Sequence, residues 1–227
     1  MSIKREDLNE AWVQRITAEM ASRGNFQPRS PEEREASLQL ALGQLGPGED
    51  AWLFGYGSLM WNPTVRYSEC RDGLIYGFHR AYCFWTEGGR GSPECPGMML
   101  ALDRGGSCRG MAFRIPAAEA EAELRLIWMR EMLSGVYQAR WVNVHTKRGP
   151  VRAVTFVINR EHPLYARDVP LPVQARHIAR AAGWIGSCRE YLDNTIAHLD
   201  ALGVRDSSLH RLQTLVHRED CSKPLAG

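Results

Sequence analysis

The segment Phe54-Gly55-Tyr56-Gly57-Ser58-Leu59 follows a short apolar run and is itself followed at once by Asn62-Pro63. A strand that turns on glycines is the usual entry to a nucleotide-binding α/β fold. Here the third glycine of a dinucleotide fingerprint is missing, and so is the Lys-Ser/Thr of a phosphate loop. Pro63 also biases Asn62 away from helical backbone. No long helix starts where either fold needs one, so the strands must be used in another way. Two glycines one residue apart allow a sharp turn and a close approach to main-chain N–H groups. A run of such amides makes an anion-binding nest, and Ser58 adds a hydroxyl. From these residues alone, two readings stay open: a nest for a carboxylate or phosphate, or a tight structural turn.

The section from Ala51 to about Ile158 reads as mostly strand, with one strong helix. Trp52-Leu53-Phe54 is a short strand ending at Gly55. Leu74 to Trp85 is aromatic-rich and holds Gly77, a bend or bulge signal. Met98 to Leu102 and Gly110 to Ile115 flank Asp103-Arg-Gly-Gly-Ser, which reads as a hairpin turn. Arg140 to Thr146 and Val151 to Ile158 flank a second hairpin signal, Lys147-Arg-Gly-Pro. The helix, Ala117 to Leu133, lies between the two. From Pro170 onward the pattern is helical, with Ser187-Cys-Arg-Glu190 as a capping box and a helix running to Gly203. Mixed strands followed by terminal helices predict an α+β fold. Antiparallel hairpins favour a curled or closed sheet over a doubly wound one, and spacing does not decide between an open sheet and a barrel.

Residues 1–50 read as a helical N-terminal extension, and residues 51–227 as the main domain. Leu8, Ala11, Trp12 and Ile16 recur at helical spacing up to a break at Gly24-Asn25. Ser30, Pro31 and Glu33 supply a cap, a first-position proline and a capping box for a second helix. Gly46-Pro47-Gly48 is expected to stop it.

The 227 residues are 44% apolar and 24% charged, and the net charge is +2. That balance gives no push toward nucleic acid or a membrane surface, and no apolar run reaches the roughly 20 residues that span a bilayer. The six cysteines, Cys70, Cys83, Cys95, Cys108, Cys188 and Cys221, form no C-x-x-C pair, and no histidine spacing completes a metal site. They read as reduced thiols of a cytoplasmic protein. The chain is expected to need neither metal nor cofactor.

On the helix, successive residues turn by ~100°. Leu124, Ile127 and Trp128 then share a face with Glu131 in its middle, while Leu126, Met129 and Leu133 line the opposite face. A carboxylate on an apolar stripe is costly unless it is paired or lines a polar pocket. Desolvation raises its pKa, which suits a proton shuttle near neutral pH. An ion pair with Arg130 or Arg140 is the other reading.

The chain resembles the ChaC-type γ-glutamyl cyclotransferases. The matching stretches are Phe54-Gly-Tyr-Gly-Ser-Leu-Met-Trp-Asn-Pro63, Tyr76-Gly-Phe-His-Arg80, Arg90-Gly-Ser-Pro-Glu-Cys-Pro-Gly97, Leu102 to Gly110, Arg130-Glu-Met-Leu-Ser-Gly-Val-Tyr137 and Ser187-Cys-Arg-Glu-Tyr-Leu192. They cover roughly residues 51 to 210. The resemblance implies a small, partly closed β-barrel with flanking helices. It implies that Glu131 is the catalytic carboxylate, that Tyr56, Gly57, Ser58 and Leu59 hold the γ-glutamyl group, and that Tyr191 belongs to the substrate pocket. Arg90 is read as a further substrate-binding residue. The implied substrate is a γ-glutamyl peptide, glutathione, closed to 5-oxoproline with release of Cys-Gly. Other γ-glutamyl amines or amino acids, or a non-catalytic binding protein on the same fold, are the alternatives. A cysteine hydrolase built on Cys83 or Cys108 with His79 is a weaker one.

Overall fold

In the computed structural model, which describes residues 3–23 and 27–219, five strands close into a barrel in the order β1-β3-β2-β4-β5. Strand β1 (Ala51–Gly55) is buried along its whole length, as its unbroken apolar run requires. It pairs antiparallel with β3 (Gly97–Ile115) and closes the barrel on β5 (Gly149–Ile158) through the parallel pair Leu53↔Val154. The α+β expectation holds, and the sheet is a closed one. The break at Gly24-Asn25 and the thiol of Cys221 lie outside the described residues.

Strand β2 (Glu69–Thr86) pairs with β3 over nearly the full length of both. The expected hairpin at Asp103-Arg-Gly-Gly-Ser is therefore a misreading, since that segment lies inside β3. Pairing shifts register there, between Tyr76↔Ser107 and Phe78↔Arg104. Gly77, Gly105 and Gly106 all take positive φ, at 84°, 99° and 68°. The glycines bulge and bend a long strand pair around the barrel instead of reversing the chain. The second hairpin does form, with β4 (Tyr137–Thr146) paired to β5 from Tyr137↔Ile158 to Thr146↔Gly149.

Helix α3 (Ala120–Glu131) ends at Glu131, two residues before Leu133, because Met132 leaves helical backbone as its cap. Leu124, Ile127 and Trp128 are buried in one cluster with Leu53, Phe113 and Phe156 of the barrel. Leu126 and Met129 face the other way and meet Leu8, Trp12, Val13 and Ile16. The helix is thus covered on both sides, as its pattern implies. Burying each such large apolar side chain contributes roughly 1.5–3 kcal/mol, which holds α1 (Glu10–Arg23) against α3.

Polar contacts fix the lead-in to α1. Arg5 pairs with the buried Glu123, Nη2 to Oε1 at 2.6 Å, and the Arg66 N–H donates to the same carboxylate at 2.9 Å. Helix α2 (Pro31–Leu42) starts on the expected capping box but is capped at Gly43, ahead of the Gly46-Pro47-Gly48 break.

Helices α4 (Leu171–Arg180), α5 (Cys188–Ala201) and α6 (Ser207–Arg218) cover the other side of the barrel. Ile178, Leu192, Leu199 and Leu212 pack with Phe54, Ile75 and Leu100. Ser187 caps α5 by accepting the Glu190 N–H at 3.0 Å. The Glu190 carboxylate turns toward Arg90, Oε2 to Nη1 at 3.7 Å. No helix among the described residues is long and apolar enough to cross a membrane.

Candidate active site

Strand β1 delivers the chain to a turn at Tyr56-Gly57, and a single 3-10 turn, Ser58–Met60, follows. Neither Gly55 nor Gly57 takes a positive φ. They are needed for close approach. A Cβ on Gly55 would lie 2.9 Å from that of Leu59, and one on Gly57 would lie 2.8 Å from the hydroxyl oxygen of Tyr191. The side chain of Leu59 points into the core, so it offers the site its main chain, while the buried Tyr56 phenol lies near Glu131, Tyr137 and Tyr191. Among the described residues the N–H groups of Tyr56 and Gly57 make no hydrogen bond. Two amides at the mouth of a hollow fit the nest reading better than the purely structural one.

Glu131, the last residue of α3, faces this turn. Arg130 organises the two. Its Nη2 donates to Ser58 Oγ at 2.8 Å, its Nη1 to the Asn62 carbonyl at 2.6 Å, and its Nε lies 2.9 Å from Glu131 Oε1. The ion pair is thus with Arg130; Arg140 donates instead to Gln138 Oε1. The pair does not consume the carboxylate. Among the described residues it makes no other ion pair or hydrogen bond, and its side chain keeps 16% of its exposure, in a cavity wall. Burial pushes its pKa up, and the Arg130 guanidinium pulls part of the way back. The result is a carboxyl poised above the usual carboxylate range, as proton transfer near neutral pH requires.

Neutral hydroxyls surround it. Tyr191, in the first turn of α5, shares a cavity wall with Ser58 and Glu131. Burial raises its pKa first, then the charge of Glu131, against a lowering by Arg90. Tyr137, at the start of β4, donates to the Leu100 carbonyl at 3.0 Å. Burial holds Tyr137 and Tyr56 well above the usual phenol range, so both stay protonated. Arg90, in the β2–β3 loop, lies 5.1 Å over the Tyr191 ring and donates to the Ser187 carbonyl at 2.7 Å.

Three hollows share Glu131 and Tyr137 in their walls. The smallest, about 20 Å³, is enclosed by Tyr56 to Leu59, Leu100 and Phe156. A cleft of about 300 Å³ shares Tyr191 with it and adds Arg90, Glu190 and Asn194. A third, of about 190 Å³, runs under α1. All seven residues singled out in the sequence, Glu131, Tyr56, Gly57, Ser58, Leu59, Tyr191 and Arg90, line one or more of these three hollows.

Sequence reasoning missed Arg130 as the anchor of the turn, and Tyr137, although both stand in matched stretches. It also missed Ile3 and Met20, which reach the cleft from the N-terminal segment. The cysteine alternative finds no support. Burial pushes the thiols of Cys83 and Cys108 up to about 12 and about 11, where little thiolate forms, and His79 bonds the Gly105 carbonyl instead.

Residues 51–219 match the family described as ChaC-like protein. The chain is 40% identical over 190 residues to the glutathione-specific gamma-glutamylcyclotransferase of Escherichia coli K12, covering 83% of this chain and 82% of that protein. It is 31% identical over 170 residues to glutathione-specific gamma-glutamylcyclotransferase 1 of Mus musculus, covering 73% and 76%. Its fold is similar to the crystal structure of a glutathione-specific gamma-glutamyl cyclotransferase from yeast. The TM-score is 0.68 at 20% identity, over 74% of this chain and 96% of that one.

Proposed function

We propose that this chain, which belongs to the ChaC-like family, is a γ-glutamyl cyclotransferase that converts glutathione to 5-oxoproline and Cys-Gly. The observation that carries the reading is the half-buried carboxylate of Glu131, set in the same cavity wall as Tyr56 to Leu59 and Tyr191. The substrate specificity of the relatives in Escherichia coli and mouse supports the choice of glutathione.

The α-amine of the glutamyl group attacks its own γ-carbonyl. Both reacting groups belong to one molecule, so the protein has chiefly to hold a bent conformer. The amine is protonated at neutral pH, and Glu131 takes a proton from it. A bond forms from nitrogen to the γ-carbon, and Glu131 passes the proton to the leaving nitrogen as the amide C–N bond breaks. The second proton shed by the attacking nitrogen follows the same route, so the lactam keeps one N–H and Cys-Gly leaves with a protonated amine. The amides of Tyr56 and Gly57 grip the α-carboxylate or support the developing oxyanion. Tyr191 furnishes a neutral donor beside them, Tyr137, whose O–H goes to the Leu100 carbonyl, can offer only an acceptor, and Arg90 attracts a carboxylate at the mouth of the cleft. No added metal or cofactor enters this sequence of steps. The catalytic unit is residues 51–227, and the described residues of the 1–50 extension pack on it through α1. The five described cysteines are free thiols, which suits the reducing cytoplasm where glutathione is abundant.

The test is product identity. Purified protein is given glutathione or γ-glutamyl-lysine, and the products are separated by chromatography. The reading expects 5-oxoproline and Cys-Gly, with glutathione favoured. Free glutamate would mean hydrolysis, and a preference for γ-glutamyl-lysine would move the chain to another substrate.

A further inference from the structure

Two ways lead out from Glu131. One is polar, toward Arg90, Glu190 and Asn194. The other is the 190 Å³ chamber under α1, walled by Trp12, Ile16, Met20, Leu133, Trp184 and Ile185. Trp184 carries a buried indole N–H with no acceptor among the described residues. The α1 part of this wall lies outside the family match at 51–219, so the chamber owes its closure to the N-terminal extension.

The leaving half of glutathione carries two unlike groups, a glycyl carboxylate and a thiol. A carboxylate is costly among apolar walls, so it takes the Arg90 side. The cysteine side chain is left with the chamber, which is far larger than a thiol needs. An apolar cavity of about 150 Å³ already accepts a benzene ring.

Resting on the cyclotransferase reading, we propose that the protein also opens S-substituted glutathiones, with the S-alkyl or S-benzyl group lodged in the α1 chamber. The reaction is γ-Glu-Cys(S-R)-Gly to 5-oxoproline and Cys(S-R)-Gly. The C–N amide bond breaks as the new lactam bond forms, and the proton passes from the α-amine to the leaving nitrogen. The S–R bond is untouched, and no oxidant, reductant or water is consumed.

The full chain is assayed for 5-oxoproline release from glutathione and S-benzylglutathione. The expected kcat/KM for the S-benzyl compound is within about tenfold of that for glutathione. Ile16→Phe, which fills the chamber, should lower the S-benzyl-to-glutathione ratio roughly tenfold or more, the scale on which apolar pockets discriminate misfitting groups. Leu164→Phe, at a partly exposed position of the chamber wall outside the cleft, makes the same test if Ile16→Phe does not fold. A loss beyond about 100-fold for the S-benzyl compound, with glutathione still turned over, overturns the proposal. A ratio unmoved by a folded filling variant also overturns it. Binding to Glu131→Gln protein separates this from failure of the parent reading. There S-benzylglutathione should bind at least as tightly as glutathione, and weaker binding sinks the chamber whether or not either compound is turned over.

Discussion

Replacing Gly57 by alanine puts one methyl group where the structure has no room for it. The new Cβ would lie 2.8 Å from the Tyr191 oxygen and 3.5 Å from Leu100 Cδ2. The hydroxyl must retreat by roughly 0.6 Å to reach ordinary contact at 3.4 Å. Tyr191 has little freedom to do so. It is 6% exposed, lies 6.1 Å from the Trp61 ring, and has Arg90 5.1 Å over its ring. Overpacking of this kind costs about 1–3 kcal/mol, or a Tm lowered by about 2–12 °C in a chain of this size. Displacement of a positioning group by less than an ångström should lower kcat/KM on glutathione by roughly 10- to 100-fold. Calorimetry and steady-state kinetics on the purified variant read both effects. In Gly57→Ala/Tyr191→Phe the clashing oxygen is gone, so Tm should recover most of its loss while activity stays low. A Gly57→Ala protein within about 1 °C of the parent, or a double variant no more stable than the single one, would refute the packing argument.

Burial raises the Glu131 pKa and Arg130 lowers it. A base acts in its ionised form, so kcat/KM should rise as pH climbs through a value above the usual carboxylate range. Arg130→Met should move that acid limb to higher pH; a limb moved to lower pH would contradict the pairing. Deleting residues 1–48 uncovers Leu126, Met129 and Leu133 and removes Ile3 and Met20 from the cleft. Calorimetry should show a lower Tm and kinetics a weakened preference for glutathione, and an unchanged Tm would show that the α1 contacts contribute nothing. Activity should survive exhaustive chelation, since in the proposed mechanism the ring closes within one molecule and a carboxylate carries the proton. Inactivation reversed by a divalent ion would contradict the mechanism.

Features that depend on local spacing were readable from the chain. Glu131 stands among Leu124, Ile127 and Trp128 at helical period, and a buried carboxylate there announces itself. The Gly55-Tyr56-Gly57-Ser58 turn and the Ser30 capping box are likewise written in neighbouring residues. The Gly105-Gly106 bulge was not readable, because a hairpin and a bulge both ask glycine for positive φ; only the partner strand, bending at Gly77, tells them apart. Arg130 looked like a helix flank because its acceptors, Ser58 Oγ and the Asn62 carbonyl, are some seventy residues away in the chain. Ile3 and Met20 carried no local mark either. The extension looked like scaffold because every candidate site residue followed Gly48. Its place in the cleft comes from the packing of α1 on α3, which is a long-range contact.

The most direct measurement compares wild-type and Glu131→Gln protein on glutathione, with 5-oxoproline and Cys-Gly quantified together. The amide keeps the size and hydrogen bonding of the side chain but cannot carry the proton. The wild type should release the two products in equal amounts. The variant should keep its circular dichroism and thermal transition while its turnover falls by roughly 10²- to 10⁴-fold, the usual contribution of a positioned acid–base group. A folded Glu131→Gln protein that still makes 5-oxoproline at near the wild-type rate would contradict the account.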